Sequence, residues 1–353
     1  MKIVYLVPEM EQGGVEECTF ELAKGMVDHG HQVSVVSHGG RLASRLRKEG
    51  VVIKKAPLHR KDPVSFGRSF FSLLRFCRQW QPDILHAMSR VPAWVGYFLT
   101  RYQNRGHLVT TFHSFYNTHW PSQIMGKGER VIAVSQALAE YARSSFQVSD
   151  DHLRIVVNGI SLGKIERTRP GRYLRVGTLA RWSTGKGFSL FLKVMQVLVK
   201  EGHPVQGLIG VGLPAAGLKA SSRLKAEIEE HGLSDRVSLL LNPRREDFFS
   251  RIDVYAGCFT RPEGFGRVVV EAQWCRVVPV ASALGGVREV IRDGETGFLV
   301  EPRAAAFVER LKLLLSNDWL REKMGQAAAT WVRQKFSAER MVEETVAVYR
   351  ELV

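Results

Sequence analysis

The stretch RPEGFGRVVVEA, residues 261–272, decides the fold of this chain. It follows the apolar run 254–258, which is typical of a buried strand, and its Phe-Gly pair is placed to open a helix. A helix N-terminus offers N–H donors and a partial positive charge, which suits a phosphate. Glu263 lies in the turn, and we expect Glu271 about two turns into the helix. Both carboxylates could accept hydrogen bonds from sugar hydroxyls; alternatively, Glu263 caps the helix and Glu271 is solvated.

Apolar strands and helices alternate on both sides of this unit. The predicted strands are residues 2–7, 31–36, 51–53, 83–87, 108–113, 131–134, 154–157, 173–179, 205–210, 237–241, 254–258 and 278–281. The predicted helices are residues 15–29, 66–80, 136–144 with Ser135 as N-cap, 188–200, 304–315, 318–335 and 338–352. Such alternation indicates the α/β class, with parallel, doubly wound sheets covered by helices on both faces.

The same pattern restarts in the second half, so we predict two Rossmann-like domains. The polar segment 161–172, which contains Pro170-Gly171, is the predicted linker. The predicted boundaries are 1–165 for an N-terminal domain and 166–335 for a C-terminal domain, followed by a helix in residues 336–353. Ligands of open α/β sheets bind at the carboxyl ends of the strands, so two such domains predict a cleft between facing loops.

Composition is that of a folded protein: 45% of the 353 residues are hydrophobic and 24% are charged. The apolar run near the N-terminus is too short for a signal peptide, and no stretch approaches the roughly 18–20 apolar residues of a membrane span. The four cysteines, Cys18, Cys77, Cys258 and Cys275, have no metal-ligand spacing, so we expect reduced thiols in a cytoplasmic protein.

The net charge of +15 and the pI near 9.9 are concentrated in one region. Between residues 41 and 105 there are 14 Lys or Arg and three acidic residues. Such a field favours an anionic partner: a nucleic acid, an anionic membrane surface or a phosphorylated glycan. Solubility alone is the other explanation.

Seven further motifs accompany the deciding stretch in a fixed order. They are GGVE (13–16), VIAVS (131–135), VNGI (157–160), LARWSTGKG (179–187), DV (253–254), ALGGVRE (283–289) and DGETGFLV (293–300). With EGFGRVVVEA (263–272), this set resembles the retaining glycosyltransferases of family 4, which have the GT-B fold, over essentially the whole chain. HAMSRVPAW (86–94) with TTFH (110–113) is similar to transferases that build the lipopolysaccharide core.

The resemblance implies that the first domain, 1–165, binds the acceptor, that the second, 166–335, binds the nucleotide sugar, and that the helix in residues 336–353 crosses back to the first domain. It also implies roles for residues of the second domain. Arg181 and Lys186 would hold the donor diphosphate, where they offset the negative charge that builds as the nucleotide leaves. Glu263 would bind the transferred sugar and Glu271 the ribose hydroxyls. The turn Gly264-Phe265-Gly266 would bring backbone N–H groups near the sugar or phosphate. A solvated basic turn is the alternative for Arg181 and Lys186.

In the first domain, Gly13 and Gly14 would let the loop after the first strand approach the diphosphate without a Cβ. His113, at the end of a strand, would face the sugar; a structural histidine is the alternative. The implied catalytic set is therefore His113 together with Arg181, Lys186 and Glu263. Many relatives carry a second histidine where this chain has Met88, so no histidine pair is expected.

No Asp-x-Asp follows a strand, so we expect no metal cofactor, and Arg181 and Lys186 would do the work of a cation. The implied mechanism is front-face displacement with retention. The segment QWCR (273–276) replaces the family's more usual Ala-Met-Ala-x-Gly, which leaves a UDP- or GDP-linked donor open.

The predicted function is hexosyl transfer from a nucleotide sugar to a glycan or lipid-linked acceptor, in lipopolysaccharide core or other cell-envelope polysaccharide synthesis. A nucleotide-sugar epimerase of the same architecture is one alternative, although the basic region 41–105 favours an acceptor. A nucleic-acid-binding protein is the other, but no helix-turn-helix, zinc-finger spacing or RNP-like strand accompanies the high pI. We expect no nucleic-acid partner.

The helix 66–80 (FGRSFFSLLRFCRQW) combines aromatic residues with three arginines. One interpretation is a core helix with its arginines outside. The other is that its outer edge lies on the inner face of the cytoplasmic membrane, near a lipid-linked acceptor, as in a peripheral membrane protein.

Overall fold

The computed structural model describes residues 1–353 except 12, 164, 166–172 and 213–217, together with the side chains of 218–220. Most of the predicted linker 161–172 therefore lies outside the described residues. The chain divides into two compact units: Met1–Ser161 with Phe336–Val353, here the first unit, and Leu162–Lys335, here the second unit. In the part of the chain that the structure describes, no helix has the length and apolar character needed to cross a membrane.

The first unit contains a parallel sheet in the order β3-β2-β1-β4-β5-β6-β7. Its strands are β1 (Lys2–Leu6), β2 (Gln32–Ser37), β3 (Val52–Lys55), β4 (Ile84–Ala87), β5 (His107–Phe112), β6 (Arg130–Ala133) and β7 (Leu153–Ile155). Its helices are α1 (Gly14–Asp28), α2 (Arg41–Lys48), α3 (Pro63–Trp80), α4 (Arg90–Gln103), a 3-10 helix (Trp120–Gly126), α5 (Gln136–Phe146) and, from the chain's end, α13 (Ala338–Arg350). β1 pairs with both β2 and β4, so the strand order reverses between β1 and β4.

The second unit repeats this design with the order β10-β9-β8-β11-β12-β13. Its strands are β8 (Leu174–Arg181), β9 (Val205–Gly212), β10 (Val237–Leu241), β11 (Val254–Gly257), β12 (Val278–Ser282) and β13 (Phe298–Val300). Its helices are α6 (Phe188–Lys200), α7 (Leu218–Glu230), α8 (Arg245–Phe249), α9 (Arg267–Trp274), α10 (Val287–Val290), α11 (Ala304–Leu315) and α12 (Asp318–Lys335). Here the order reverses between β8 and β11.

Both sheets have strands that are buried on both faces, as parallel strands covered by helices must be. Ile3, Val4, Tyr5 and Leu6 of β1 all have zero exposure, and every residue of β11 and β12 is buried. The predicted strands coincide with observed strands to within one or two residues at most ends, and Ser135 caps α5 as predicted, accepting the Leu138 N–H at 3.1 Å. The predicted α/β class with two doubly wound parallel sheets is confirmed.

Several elements were not predicted, most of them because they are short or contain residues that are uncommon inside helices. α2 is short and rich in charge, and α4 contains Pro92 and Gly96. Gly96 lies against the sheet: a Cβ there would come within 2.9 Å of the Leu108 side chain. α7, α8, α10 and β13 likewise lie outside the predicted set. In a doubly wound sheet, the tertiary contacts of such segments stabilise them more than local propensity does.

The helix α13 packs against α1 in the first unit. Gly25 of α1 allows the close approach, because a Cβ there would lie 2.4 Å from Cγ2 of Val342. At the start of α13, the Ala338 N–H donates to the Ile160 carbonyl at 3.1 Å, and the Ile160 N–H donates to the Phe336 carbonyl at 2.9 Å. The returning segment is thus held by backbone hydrogen bonds as well as by side chains.

Candidate active site

The loops that follow β8 and β11 lie side by side at the point where the strand order of the second unit reverses. The Thr260 N–H donates to the Gly185 carbonyl at 3.0 Å. Gly187 is the N-cap of α6 with φ of 72°, and a Cβ there would lie 1.5 Å from the Cys258 carbonyl oxygen. Glycine at 187 therefore brings the N-terminus of α6 directly against the end of β11. This edge is where open α/β sheets bind ligands.

Lys186 and Glu263 join the two loops through an ion pair. The Lys186 ammonium donates to both carboxylate oxygens of Glu263, at 2.7 and 2.8 Å. The two side chains keep 26% and 19% of their exposure, so the pair is accessible at the surface of the loops. The ammonium also lies 5.7 Å from the centre of the Phe259 ring. A cation and a carboxylate are thus presented together at the strand ends.

A third loop, after β12, packs on the EGFG turn. The Gly286 N–H donates to the Glu263 carbonyl at 2.9 Å, and a Cβ on Gly286 would lie 2.4 Å from the Gly264 carbonyl oxygen. Gly266 has φ of 88° and is the N-cap of α9, and the neighbouring Phe265 is buried. The glycines therefore serve backbone packing, and they fix the Glu263 main chain between the second and third loops.

Glu271 is fully buried and lies one turn into α9, rather than two turns into it as predicted, because the helix begins only at Arg267. Its Oε1 lies 3.0 Å from Nε of Arg267, one turn earlier, and its Oε2 lies 3.0 Å from Nε of Arg245 on α8. The alternative in which Glu271 is solvated is wrong, because its side chain is fully buried. The alternative in which Glu263 caps α9 is also wrong, because the N-cap is Gly266 and the Glu263 carboxylate pairs with Lys186. Sequence reasoning missed both arginines; the i,i+4 spacing of 267 and 271 was the available signal.

Arg181 is the last residue of β8 and its side chain is exposed, so it lies at the same edge of the sheet as Lys186. The solvated basic turn is a poor description of Lys186, which is engaged by Glu263. The structure thus brings Lys186, Glu263 and the 264–266 turn together and buries Glu271 on the helix that follows this turn. In the residues described, no group of three His, Cys, Asp or Glu side chains could hold a metal ion.

The remaining predicted site residues belong to the first unit. Gly13 is the N-cap of α1, directly after the β1 loop, and a Cβ on Gly14 would meet no atom within 4 Å. Packing within the first unit therefore does not explain glycine at 14. His113 follows β5 and is half-buried, and Met88 is fully buried in the core.

His86 on β4 has a structural environment that the sequence did not indicate. Its Nδ1 lies 2.6 Å from the Tyr349 hydroxyl of α13, and its Nε2 lies 2.6 Å from the Thr111 hydroxyl. The Tyr349 hydroxyl in turn donates to that of Tyr5 at 3.2 Å. Burial, with a smaller contribution from the charge of His113, lowers the pKa of His86 to about 3, so the ring is neutral. These side chains tie α13 to the sheet.

The fold and the site define a protein with two doubly wound units that presents charged groups and helix N-termini for a phosphate-bearing ligand. Two family models divide the chain between them: that for Glycosyltransferase Family 4 matches residues 12–164, and that for Glycosyl transferases group 1 matches residues 165–331. The chain belongs to this glycosyltransferase family, so the family resemblance seen in the sequence motifs is confirmed.

Individual proteins that are similar to this chain include glycosyltransferases by name. The lipopolysaccharide core biosynthesis mannosyltransferase LpcC of Rhizobium leguminosarum bv. viciae is 31% identical over 186 residues, about half of either protein (52% of each). The GDP-mannose:cellobiosyl-diphosphopolyprenol alpha-mannosyltransferase of Xanthomonas oryzae pv. oryzae is 26% identical over 90% of this chain and 89% of that protein. The structure of Anabaena Alr3699/HepE in complex with UDP-glucose superposes with a TM-score of 0.86 at 20% identity, covering 99% of this chain and all (100%) of the other. The GT-B fold is thereby confirmed.

Proposed function

We propose that this chain transfers a hexose from a nucleoside-diphosphate sugar to a glycan or lipid-linked acceptor, on the cytoplasmic side, in the synthesis of lipopolysaccharide core or another cell-envelope polysaccharide. Family membership supports glycosyl transfer. The names of the relatives point to a mannosyltransferase of the lipopolysaccharide core and to a diphosphopolyprenol acceptor, whereas the HepE complex contains UDP-glucose. Both UDP- and GDP-linked donors therefore stay within the proposal.

The single observation that carries the proposal is the Lys186–Glu263 pair at the strand-order reversal of the second unit. Lys186, with Arg181, would hold the diphosphate, and Glu263 would accept hydrogen bonds from the sugar. The backbone at Phe265 and Gly266, at the N-terminus of α9, would complete the phosphate site.

Other assigned roles complete the proposed site. Glu271 is buried on α9, where it pairs with Arg267 and Arg245; a contact with the ribose would require one arginine to release its oxygen. From the first unit, Gly13 and Gly14 would approach the diphosphate, and His113 would face the sugar.

Chemically, the arrangement would act by electrostatics. As the bond between the anomeric carbon and the diphosphate breaks, negative charge grows on the leaving phosphate, and fixed cations nearby stabilise it. Lys186 and Arg181 would supply that stabilisation without a metal. The acceptor hydroxyl would attack from the face that the phosphate leaves, with its proton passing to a phosphate oxygen, so that the anomeric configuration is retained.

The ion pair predicts how donor affinity divides between the two parts of the donor. A nucleoside diphosphate can take Lys186 from Glu263, but it gives Glu263 no replacement partner. A nucleotide sugar offers phosphate oxygens to Lys186 and hydroxyls to Glu263 together. The sugar should therefore add affinity only while Glu263 is present.

Calorimetric titration of UDP, GDP and their hexose donors against variants tests this. Lys186→Met should weaken the bare nucleotide and the donor alike, by about 1.5–3 kcal/mol for a lost charge-assisted hydrogen bond. Glu263→Gln should leave the bare nucleotide at wild-type affinity or bind it more tightly, because Lys186 is released, and should lose the sugar's added affinity and most turnover. Glu295→Gln, which removes the exposed carboxylate near Arg292 of the same unit, is the matched control and should change nothing.

Two outcomes would contradict the proposal in different ways. If no nucleotide binds the wild-type chain, the proposed function fails; if Glu263→Gln weakens the bare nucleotide as much as Lys186→Met does, only the assigned roles fail. Repeating the transfer assay in EDTA tests metal independence. Activity should survive EDTA, and a collapse that Mg²⁺ or Mn²⁺ restores would show that a metal is required.

A further inference from the structure

A group of aromatic side chains lies on the surface of the first unit, where α3 packs beside α4. We call it the aromatic face and define it by Phe70, Phe71, Trp94, Phe98, Tyr102 and Trp120. Trp94 contacts Trp120 at 5.1 Å and stacks on Phe98 at 5.7 Å between ring centres. Tyr102, one turn beyond Phe98 on α4, contacts Phe70 at 6.1 Å. Rings of α3 and α4 therefore meet at two places, Phe70 with Tyr102 and Phe66 with Phe98 at 6.1 Å, so the aromatic surface spans both helices.

This face is unusually open to solvent for apolar side chains. Trp120 is 70% exposed, Phe71 69% and Tyr102 63%. The side chains by which α3 faces the core are instead Leu73, Leu74 and Cys77 with two serines. α3 is therefore a core helix with its arginines outside, as one interpretation of the sequence had it, but Phe71 also lies outside. A contiguous exposed apolar patch on a folded unit marks an interaction surface.

Positive charge surrounds the aromatic face. Residues 63–127 contain seven Lys or Arg and one acidic residue, Asp83, whose carboxylate accepts the Lys2 N–H at 2.7 Å. The guanidinium of Arg101 lies 4.8 Å from the Tyr97 ring, and that of Arg78 lies 6.0 Å from the Tyr102 ring. On α3, Arg68, Arg75 and Arg78 are exposed. A partner for this face must therefore be negatively charged and able to accept aromatic rings.

We infer that the aromatic face docks on an anionic lipid surface. Tryptophan and tyrosine favour the headgroup region of a bilayer, and each basic residue near an anionic leaflet strengthens binding. A second copy of the chain fits less well, because pairing two such faces would bring the arginines of both copies together. This inference rests on the residues of the first unit alone and is independent of the proposed donor chemistry.

Vesicle co-sedimentation of the full chain tests the inference. Phosphatidylcholine vesicles with 30% phosphatidylglycerol should bind the wild-type chain at about 0.1 M salt. Pure phosphatidylcholine, or about 0.5 M salt, should bind it several-fold less, because screening shortens the reach of exposed charges. The double variant Phe71→Ser, Trp120→Ser should bind roughly tenfold more weakly, and Arg75→Gln with Arg78→Gln should do the same through charge alone.

Trp319→Ser is the matched control, since Trp319 is 67% exposed and lies beside Lys323 on α12 of the second unit. It should bind vesicles like the wild type. Equal weakening by Trp319→Ser, or wild-type binding by both double variants, would overturn the inference, as would binding that is indifferent to phosphatidylglycerol. Sedimentation velocity supplies a further check: a dimer that dissociates in Phe71→Ser, Trp120→Ser would make the face a self-association surface and reject the lipid. The arginine variant keeps the test valid if the aromatic variant does not fold.

Discussion

The two units have the same doubly wound topology but bury opposite kinds of polar cluster beside their strand-order reversals. In the first unit, His86 of β4 and Tyr5 of β1 form a neutral network with Tyr349 and Thr111. Burial raises the pKa of both tyrosines and lowers that of the histidine, so that no member is charged near neutral pH. In the second unit, the Glu271 carboxylate of α9, the helix that follows β11, is buried between two arginines.

The difference shows that two units of the same topology can bury different polar clusters, and that the side chains of each cluster determine whether it has a structural role or supports a binding site. A neutral hydrogen-bonded network can be enclosed at modest cost, and here it fastens α13 onto the sheet. A buried carboxylate is tolerated only when cations compensate it. Such a cluster fixes the position of α9, and α9 in turn follows the loop that carries Glu263. The charged cluster supports a polar surface site, whereas the neutral network supports a structural joint.

The largest expected effect comes from removing the charge at the centre of the second cluster. Glu271→Ala leaves Arg245 and Arg267 without their carboxylate in a buried setting, and it should lower the free energy of unfolding by about 3–5 kcal/mol. Glu344→Ala, which breaks a partly exposed i,i+4 pair with Arg340 at 2.7 Å, is the matched control and should cost less than about 1 kcal/mol. Denaturant unfolding measures both. Similar losses for the two variants would mean that burial does not distinguish these ion pairs.

For the neutral network, we expect the free energy of unfolding to depend on pH. An unfolded histidine binds a proton below about pH 6.5, whereas folded His86 resists protonation until about pH 3, so stability present above pH 6.5 is lost as the pH falls toward 3. Between pH 6.5 and 4 this loss should reach roughly 3 kcal/mol.

The measurement is the unfolding free energy of wild type and His86→Gln across that pH range, because the difference between them cancels the titration of other groups. The variant should show the flatter profile. His107→Gln, which replaces an exposed histidine 2.7 Å from Glu129, should keep the wild-type fall. A wild-type profile in His86→Gln would place the acid sensitivity elsewhere.

The smallest predicted effect is that of replacing His113, which follows β5, the strand next to the one that carries His86. Unlike His86, it should affect turnover and not stability. His113→Ala should leave nucleotide affinity and stability nearly unchanged and lower turnover by one or two orders of magnitude, about 1.4–2.7 kcal/mol. Calorimetry and steady-state kinetics on the same preparation check both statements. If the variant turns over like the wild type, His113 is structural and the functional groups lie in the second unit.

An element or site residue could be predicted from the sequence when the contacts that determine its position are local in the chain. The order of strands and helices followed from short-range apolar patterns, and α6 was predicted to the residue, Phe188–Lys200. The EGFG turn before α9 was equally clear. α2, which is short and rich in charge, and α4, which contains Pro92 and Gly96, were missed, and contacts with the sheet stabilise both. Glu271 was placed one turn too far along because the helix start is set by Gly266, whose positive φ the sequence did not specify.

By itself, the sequence determined the two doubly wound sheets, the family, and the strand ends at which Arg181, Lys186 and Glu263 lie, because periodicity and glycine-rich turns are local properties. Only the tertiary structure decided which charges pair. Lys186 meets Glu263 across 77 positions, Arg245 meets Glu271 from another helix, and His86 meets Tyr349 across 263 positions. These partners depend on how distant segments pack. A buried charge or polar ring needs a compensating group, and only the tertiary fold determines which group lies within reach.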